Sequence, residues 1–344
     1  MAKVEEAHRE EPPLPVRNDH VGAERLDLLG RFTATPLTID LKLMQRTVRV
    51  ETNSRALLEL TEQVFKVHQH GDTGKPAFRW RIVCESDPQV QSTDVPLAGF
   101  SDLNLRYVNV GQRSFLAVDL ENREAVAFLD DRFVEGEARL RHRPPLDLLF
   151  CMTAATLGLT TLTAGCAGVN DRGVLVFGPP NSGKTTASYL AARLGMEFLA
   201  DQVVFLDMSG KALRVWGDPF PAVFRPEAVE FLPELRDSAH YSTYEDHSFY
   251  YFDKDAMQAP RAHPVIPACS VFLHRGAAHQ PKLTRVLREE AVARLRDCML
   301  FSEDDRFAGQ IEDAIDALVE HPVYDLKYPE DPRVAAKVIS EMLR

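Results

Sequence analysis

The chain has 344 residues, is 45% apolar and 26% charged, and carries 40 Lys and Arg against 51 Asp and Glu, a formal net charge of −11. At roughly 150 residues per domain the length suits about two domains or one large one, and so ordinary a composition excludes whole-chain disorder and a disulfide-stapled mini-protein. The acidic balance disfavours a nucleic-acid partner, because duplex binding needs Lys and Arg to displace phosphate counterions; none is expected.

In chain order, residues 1–25 are acidic and proline-containing, lack the apolar run of a signal peptide, and read as a disordered leader. Residues 26–140 read as a strand-rich α+β domain. Leu37, Ile39, Leu41 and Leu43 alternate with other residues, as do Phe78, Trp80, Ile82 and Cys84, the period of strands with one buried face. Between them Leu57, Leu58, Thr61, Val64 and Phe65 predict a helix over Ser54–His68, capped by Asn53 or Ser54. Ser114–Leu120 and Glu124–Leu129 flank a Glu-Asn-Arg turn and predict a hairpin.

The run Arg141–Pro145 marks a boundary, and residues 146–344 follow as an α/β domain. Leu148–Val169 is uncharged for 22 residues, long enough to span a bilayer. Its five threonines and three glycines suit a core helix over Leu146–Leu157 and one interior strand over Thr160–Cys166 instead, so no membrane partner is expected. Apolar strands are predicted at Gly173–Phe177, Phe198–Ala200, Val203–Leu206, Val271–Leu273, Leu283–Val286 and Val323–Leu326. Helices are predicted at Ser182–Leu194, at Glu289–Cys298, and after Asp331, which caps a helix with Pro332 at its first position. Five cysteines (Cys84, Cys151, Cys166, Cys269, Cys298) form no close pair and read as reduced thiols of a cytoplasmic protein.

The sharpest motif is Gly178-Pro179-Pro180-Asn181-Ser182-Gly183-Lys184-Thr185, which meets G-x-x-x-x-G-K-[ST] between a predicted strand and a predicted helix. Glycines at its ends let consecutive N–H groups turn inward onto phosphate oxygens, and the helix adds the partial positive charge of its N-terminus. Lys184 is placed to reach the β- and γ-phosphates, the Thr185 hydroxyl to ligate Mg²⁺, and Thr186 closes the cradle. Gly71-Asp-Thr-Gly74-Lys75 is superficially alike, but its glycines are too close and Pro76 stands where the metal-binding hydroxyl belongs. Asp201, at the end of the strand after the loop's helix, is a candidate for the metal shell or for accepting a proton from an attacking hydroxyl; it also reads as a turn aspartate. Asp207 and Asp218 are weaker rivals.

From Gly173 through the loop to Thr186, and on through Leu-Gly-Met-Glu-Phe-Leu-Ala-Asp201, the chain resembles the catalytic domain of HPr kinase/phosphorylase, whose core is shared with phosphoenolpyruvate carboxykinases. The resemblance continues more weakly through Gly217–Arg225 and the Tyr324-Asp-Leu-Lys-Tyr strand. It implies a P-loop phosphoenolpyruvate-carboxykinase-like domain, use of ATP and Mg²⁺, and phosphoryl transfer to a serine-type hydroxyl of a protein, peptide or small molecule. A homo-oligomer is a further expectation that it brings. Two departures matter. Gln202 replaces a second acidic residue, and Thr163 or Ala164 stands where a histidine is common. Both favour a rival reading, a catalytically weak nucleotide-binding regulator or scaffold.

Softer candidates remain. Arg225 is placed either to stabilise charge on the transferring phosphoryl group or as a surface arginine at a proline turn. The aromatic run His240–Phe252 reads as a lid loop or a packed connection. Glu303-Asp304-Asp305 reads as a solvated helix start rather than a metal site. His274 and Arg275 end an apolar strand. No guanine-recognition motif is present, so GTP is not favoured.

Overall fold

The computed structural model describes residues 33–66, 74–85, 98–102, 104–111, 113–134, 145–244, 247–252, 257, 263–302 and 304–344. The leader, the basic boundary at 141–144, residues 71–73 of the false loop motif, and Glu303 lie outside them.

Alternating residues build the first sheet. It has seven strands in the order β1-β2-β3-β7-β6-β5-β4: β1 (Leu37–Leu43), β2 (Arg46–Thr52), β3 (Phe78–Glu85), β4 (Ala98–Asp102), β5 (Leu105–Asn109), β6 (Phe115–Asp119) and β7 (Glu124–Asp130). The predicted β6–β7 hairpin is present. Helix α1 (Arg55–Phe65) crosses between the parallel strands β2 and β3. Ser54 is its cap, its hydroxyl accepting from the Leu57 N–H at 3.2 Å. Asn53 does other work: its amide accepts from the Cys84 N–H at 2.8 Å and donates to the Cys84 carbonyl at 2.9 Å, clamping the start of the crossover to β3.

Helix α2 (Pro145–Ala154) completes this layer's core. Phe150 packs edge-on to Phe65 at 5.9 Å and against Phe205 at 4.7 Å, while Phe65 also meets Phe220 at 5.8 Å. Residues from both halves of the chain therefore share one apolar cluster. Buried ion pairs cross the same seam. Arg46 grips Asp207 with two bonds of 2.6 and 2.8 Å, and Arg106 meets Asp304 at 2.9 Å under the Phe301 ring. Burial pushes the Asp207 carboxyl up, but Arg46 and Ser209 outweigh it and hold it down at about 2. Asp304 caps the turn Asp305–Phe307, so the acidic run does start a helix, yet Asp304 is buried rather than solvated because two arginines need it.

The stretch expected as one strand over Thr160–Cys166 is two strands in different sheets. β8 (Leu159–Thr163) pairs with β12 (Val203–Asp207), whereas β9 (Gly165–Val169) pairs with β10 (Arg172–Phe177) and β11 (Glu197–Ala200). The break falls at Ala164, whose N–H turns to the Gln202 carbonyl at 3.0 Å. β13 (Arg214–Gly217) completes the small β13-β12-β8 sheet. Where a lid loop or packed connection was expected, the aromatic run holds two strands: β15 (His240–Tyr244) pairs with β16 (His247–Phe252), which pairs in turn with β14 (Ala222–Phe224), as its β-favouring aromatics prefer.

The central sheet has six strands in the order β11-β9-β10-β17-β19-β18, adding β17 (Ile266–Arg275), β18 (Lys282–Arg285) and β19 (Val323–Tyr328). Its core strands β10, β17 and β19 run parallel. Helices α3 (Lys184–Arg193) and α6 (Pro332–Glu341) cover one face, where Ala187, Leu190, Ala336 and Ile339 pack on Val176 and Val271. Helices α4 (Arg288–Arg296) and α5 (Ala308–Val319) cover the other, on Leu175, Phe177 and Phe272. The chain is thus mixed α/β with several sheets. Among the described residues no helix is long and apolar enough to cross a membrane.

Candidate nucleotide site

β10 ends at Phe177, and the motif loop turns back from it into α3. Both framing glycines are obligatory by geometry. Gly178 has φ +147°, and a Cβ there would lie 2.5 Å from Ser182 Oγ and 3.1 Å from the Leu273 carbonyl. Gly183 has φ +85°, and its Cβ would lie 2.8 Å from the Tyr328 hydroxyl. Such φ values and such closeness suit only a residue without a side chain. Within the loop Ser182 N–H donates to the Pro179 carbonyl at 3.1 Å, and α3 makes its first intrahelical bond from Ala187 N–H to Gly183. The N–H groups of the helix's first turn therefore face the loop's mouth without intrahelical acceptors.

Tyr328 straps this loop from below. The buried phenol donates to the Ser182 carbonyl at 2.6 Å, and burial pushes its pKa up to about 12, so it stays a donor. The buried Ser182 hydroxyl itself finds no partner among the described residues. Over the top, Lys184 Nζ donates to the carbonyls of Gly178 at 2.7 Å and Pro179 at 3.0 Å. Burial lowers the lysine's pKa, opposed by the nearby Cys298 and Asp201. A polyphosphate fits this arrangement: an ammonium folded onto neutral carbonyls, beside outward N–H groups, has a better partner in an anion.

The other predicted residues divide. Pro179, Pro180 and Asn181 are exposed on the loop, and Lys184, Thr185 and Thr186 are half-buried at its base. Asp201 follows β11 and is wholly buried; its Oδ2 accepts from the Val223 N–H at 3.0 Å, which ties the loop's neighbourhood to β14. Gln202 lends its carbonyl to Ala164. Arg225 lies with its guanidinium 4.6 Å over the Phe249 ring, at the turn before Pro226. Asp207 belongs to the seam, and Asp218 closes a turn by accepting from Phe220 N–H. Among the described residues no cluster of three His, Cys, Asp or Glu could hold a metal on its own.

Further neighbours lie outside the motif. On the sheet face opposite α3, Asp325 accepts from His274 Nε2 at 2.5 Å and from Arg294 at 2.9 and 3.2 Å. Burial would raise the Asp325 carboxyl, but Arg294 and His274 together hold it below the usual range. Arg294 stacks 3.9 Å over Phe272, the neighbour of Phe177 in the sheet register. Burial and Asp297 push the Cys298 thiol up against the pull of Lys184 and Arg294, which places this wall beside the lysine. Only the short pattern Tyr324-Asp-Leu-Lys-Tyr328 hints at Asp325 and Tyr328 in the sequence; nothing local joins them to the loop. A cavity of about 540 Å³ lined by Lys42, Arg214, Trp216 and Ile266 opens at the opposite, amino end of β10 and β17, a strand length from the loop.

No protein-family model and no curated protein matches the chain. Among solved structures, the Hpr(Ser) kinase/phosphatase from Coxiella burnetii is similar at 14% identity, over 54% of this chain and 88% of that one, with a TM-score of 0.29.

Proposed function

We propose that residues 146–344 form a phosphoenolpyruvate-carboxykinase-like P-loop domain that binds Mg·ATP and transfers its γ-phosphoryl group to a hydroxyl of a protein, peptide or small molecule. The observation that carries this reading is the loop between β10 and α3, with both glycines in conformations other residues avoid and Lys184 folded across its carbonyls. In this reading Gly178–Thr186 wrap the phosphates, and Lys184 exchanges its carbonyl partners for β- and γ-oxygens. Thr185 would hold magnesium, and Asp201 its surrounding shell; the metal supplies neutralisation of phosphate charge when bound. Arg225 would approach the transferring group from the β14 side.

Incubation with γ-labelled ATP and a panel of hydroxyl acceptors tests the proposal. Label on an acceptor, abolished in Lys184→Ala, is expected; label released only to water counts against a kinase. A second reading, a nucleotide-binding regulator of little turnover, draws on Gln202 in place of a second carboxylate and on the enclosure of Asp201. Nucleotide affinity that depends on Lys184, with no turnover in the parent, would favour it.

A further inference from the structure

Phosphoryl transfer to a hydroxyl needs somewhere for the hydroxyl proton to go, and the geometry of Asp201 makes it a poor recipient. It is sealed from solvent and already accepts the Val223 N–H. His274 differs on both points. Its side chain is 36% exposed, and its Nε2 is engaged by Asp325 while Nδ1 has no hydrogen-bond partner among the described residues. A carboxylate can only accept, so that pairing fixes the proton on Nε2 and leaves the lone pair on Nδ1, the arrangement of an oriented base. The position is also right. His274, next to last in β17, lies on the face of Phe177 and Phe272, and the carbonyl of the preceding Leu273 abuts Gly178, the first residue of the loop. Arg294 locks Asp325 with two bonds and is itself buttressed by Glu290 and the Phe272 ring.

We propose that His274, oriented by Asp325, is the base that takes the proton from the attacking hydroxyl; this assignment rests on the nucleotide reading above. As the hydroxyl oxygen forms its bond to the γ-phosphorus, its proton passes to Nδ1. The bond from the γ-phosphorus to the bridging oxygen breaks, and its electron pair leaves on the β-phosphate of ADP. Asp325 stabilises the resulting imidazolium, which then loses its proton to water. Asp325 and Arg294 are positioning residues. The charged groups around the ring are Asp325 and Lys327 on β19, Arg294 and Glu290 on α4, Lys282 one strand further out on β18, and Arg275 next in the chain.

The test uses the full chain, fluorescent mant-ADP for binding, and basal Mg·ATP hydrolysis, in which water stands in for the acceptor hydroxyl; a parent that binds mant-ADP and hydrolyses nothing overturns the assignment. His274→Gln is expected to keep mant-ADP affinity within about threefold while kcat falls roughly a hundredfold or more and the acid limb of its pH profile disappears. Asp325→Asn should cost about tenfold in kcat, and imidazole in the buffer should restore part of the rate to His274→Ala. A His274→Gln protein with the parent's kcat and pH profile overturns the assignment and leaves nucleotide binding standing. A parent that fails to bind mant-ADP overturns the nucleotide reading, and this assignment with it.

Discussion

The seam between the two halves and the carboxyl edge of the central sheet treat charge in opposite ways. At the seam two buried ion pairs are closed off, Arg106 against Asp304 beneath the Phe301 ring and Arg46 against Asp207, beside the shared aromatic cluster. At the loop edge the cation leans on neutral carbonyls, and among the described residues a buried serine hydroxyl goes unmatched while a histidine engages a carboxylate through one ring nitrogen alone. A buried charge facing its opposite is removed only at a cost to the fold, whereas a cation resting on neutral carbonyls has a better partner in an anion.

Substitutions can break that contrast, and the largest effect should come from the seam. Asp304→Ala strips the partner from Arg106, whose side chain is 2% exposed, and leaves a buried charge uncompensated. A loss of about 3–5 kcal/mol in denaturant-unfolding free energy is expected. Next comes Asp207. Its carboxyl is depressed from 3.8 to about 2 in the folded chain, so its contribution of roughly 2 kcal/mol is complete above pH 3.8 and is lost as pH falls through 2. Stability measured from pH 5 to 2 should fall more steeply in the parent than in Arg46→Met. Tyr328→Phe removes only the bond to the Ser182 carbonyl. It should cost about 1 kcal/mol in stability and a several-fold loss of mant-ADP affinity. At the far end of the series, Lys184→Ala should leave unfolding within about 0.5 kcal/mol of the parent while abolishing nucleotide binding.

Much of this was legible in the residues. The strand-loop-helix frame of the motif, the Ser54 cap, the β6–β7 hairpin and the Asp331-Pro332 start of α6 are set by local chemistry, and each stands where the pattern puts it. Strand β2 and helix α5 escaped. β2 mixes charged and apolar residues that only pairing with β1 and β3 sorts, and the stripe Ile311, Ala314, Ile315, Leu318 of α5 is weakened by small residues. The break at Ala164 is decided by a carbonyl 38 residues later. Within the site the loop was readable because its motif is a run of consecutive residues between a strand and a helix. Tyr328, Asp325 and Arg294 were not, since only the register of β17 with β19 and the docking of α4 bring them together.

One consequence follows from the Tyr328 strap. The bond spans 146 positions between the hydroxyl and the Ser182 carbonyl it holds. A contact so distant in sequence is expected to form late in folding, because its closure entropy must be met before it gives anything back. The motif loop should then reach its final shape near the end of maturation, and an early-folding intermediate would carry the motif's residues without the strap that holds them.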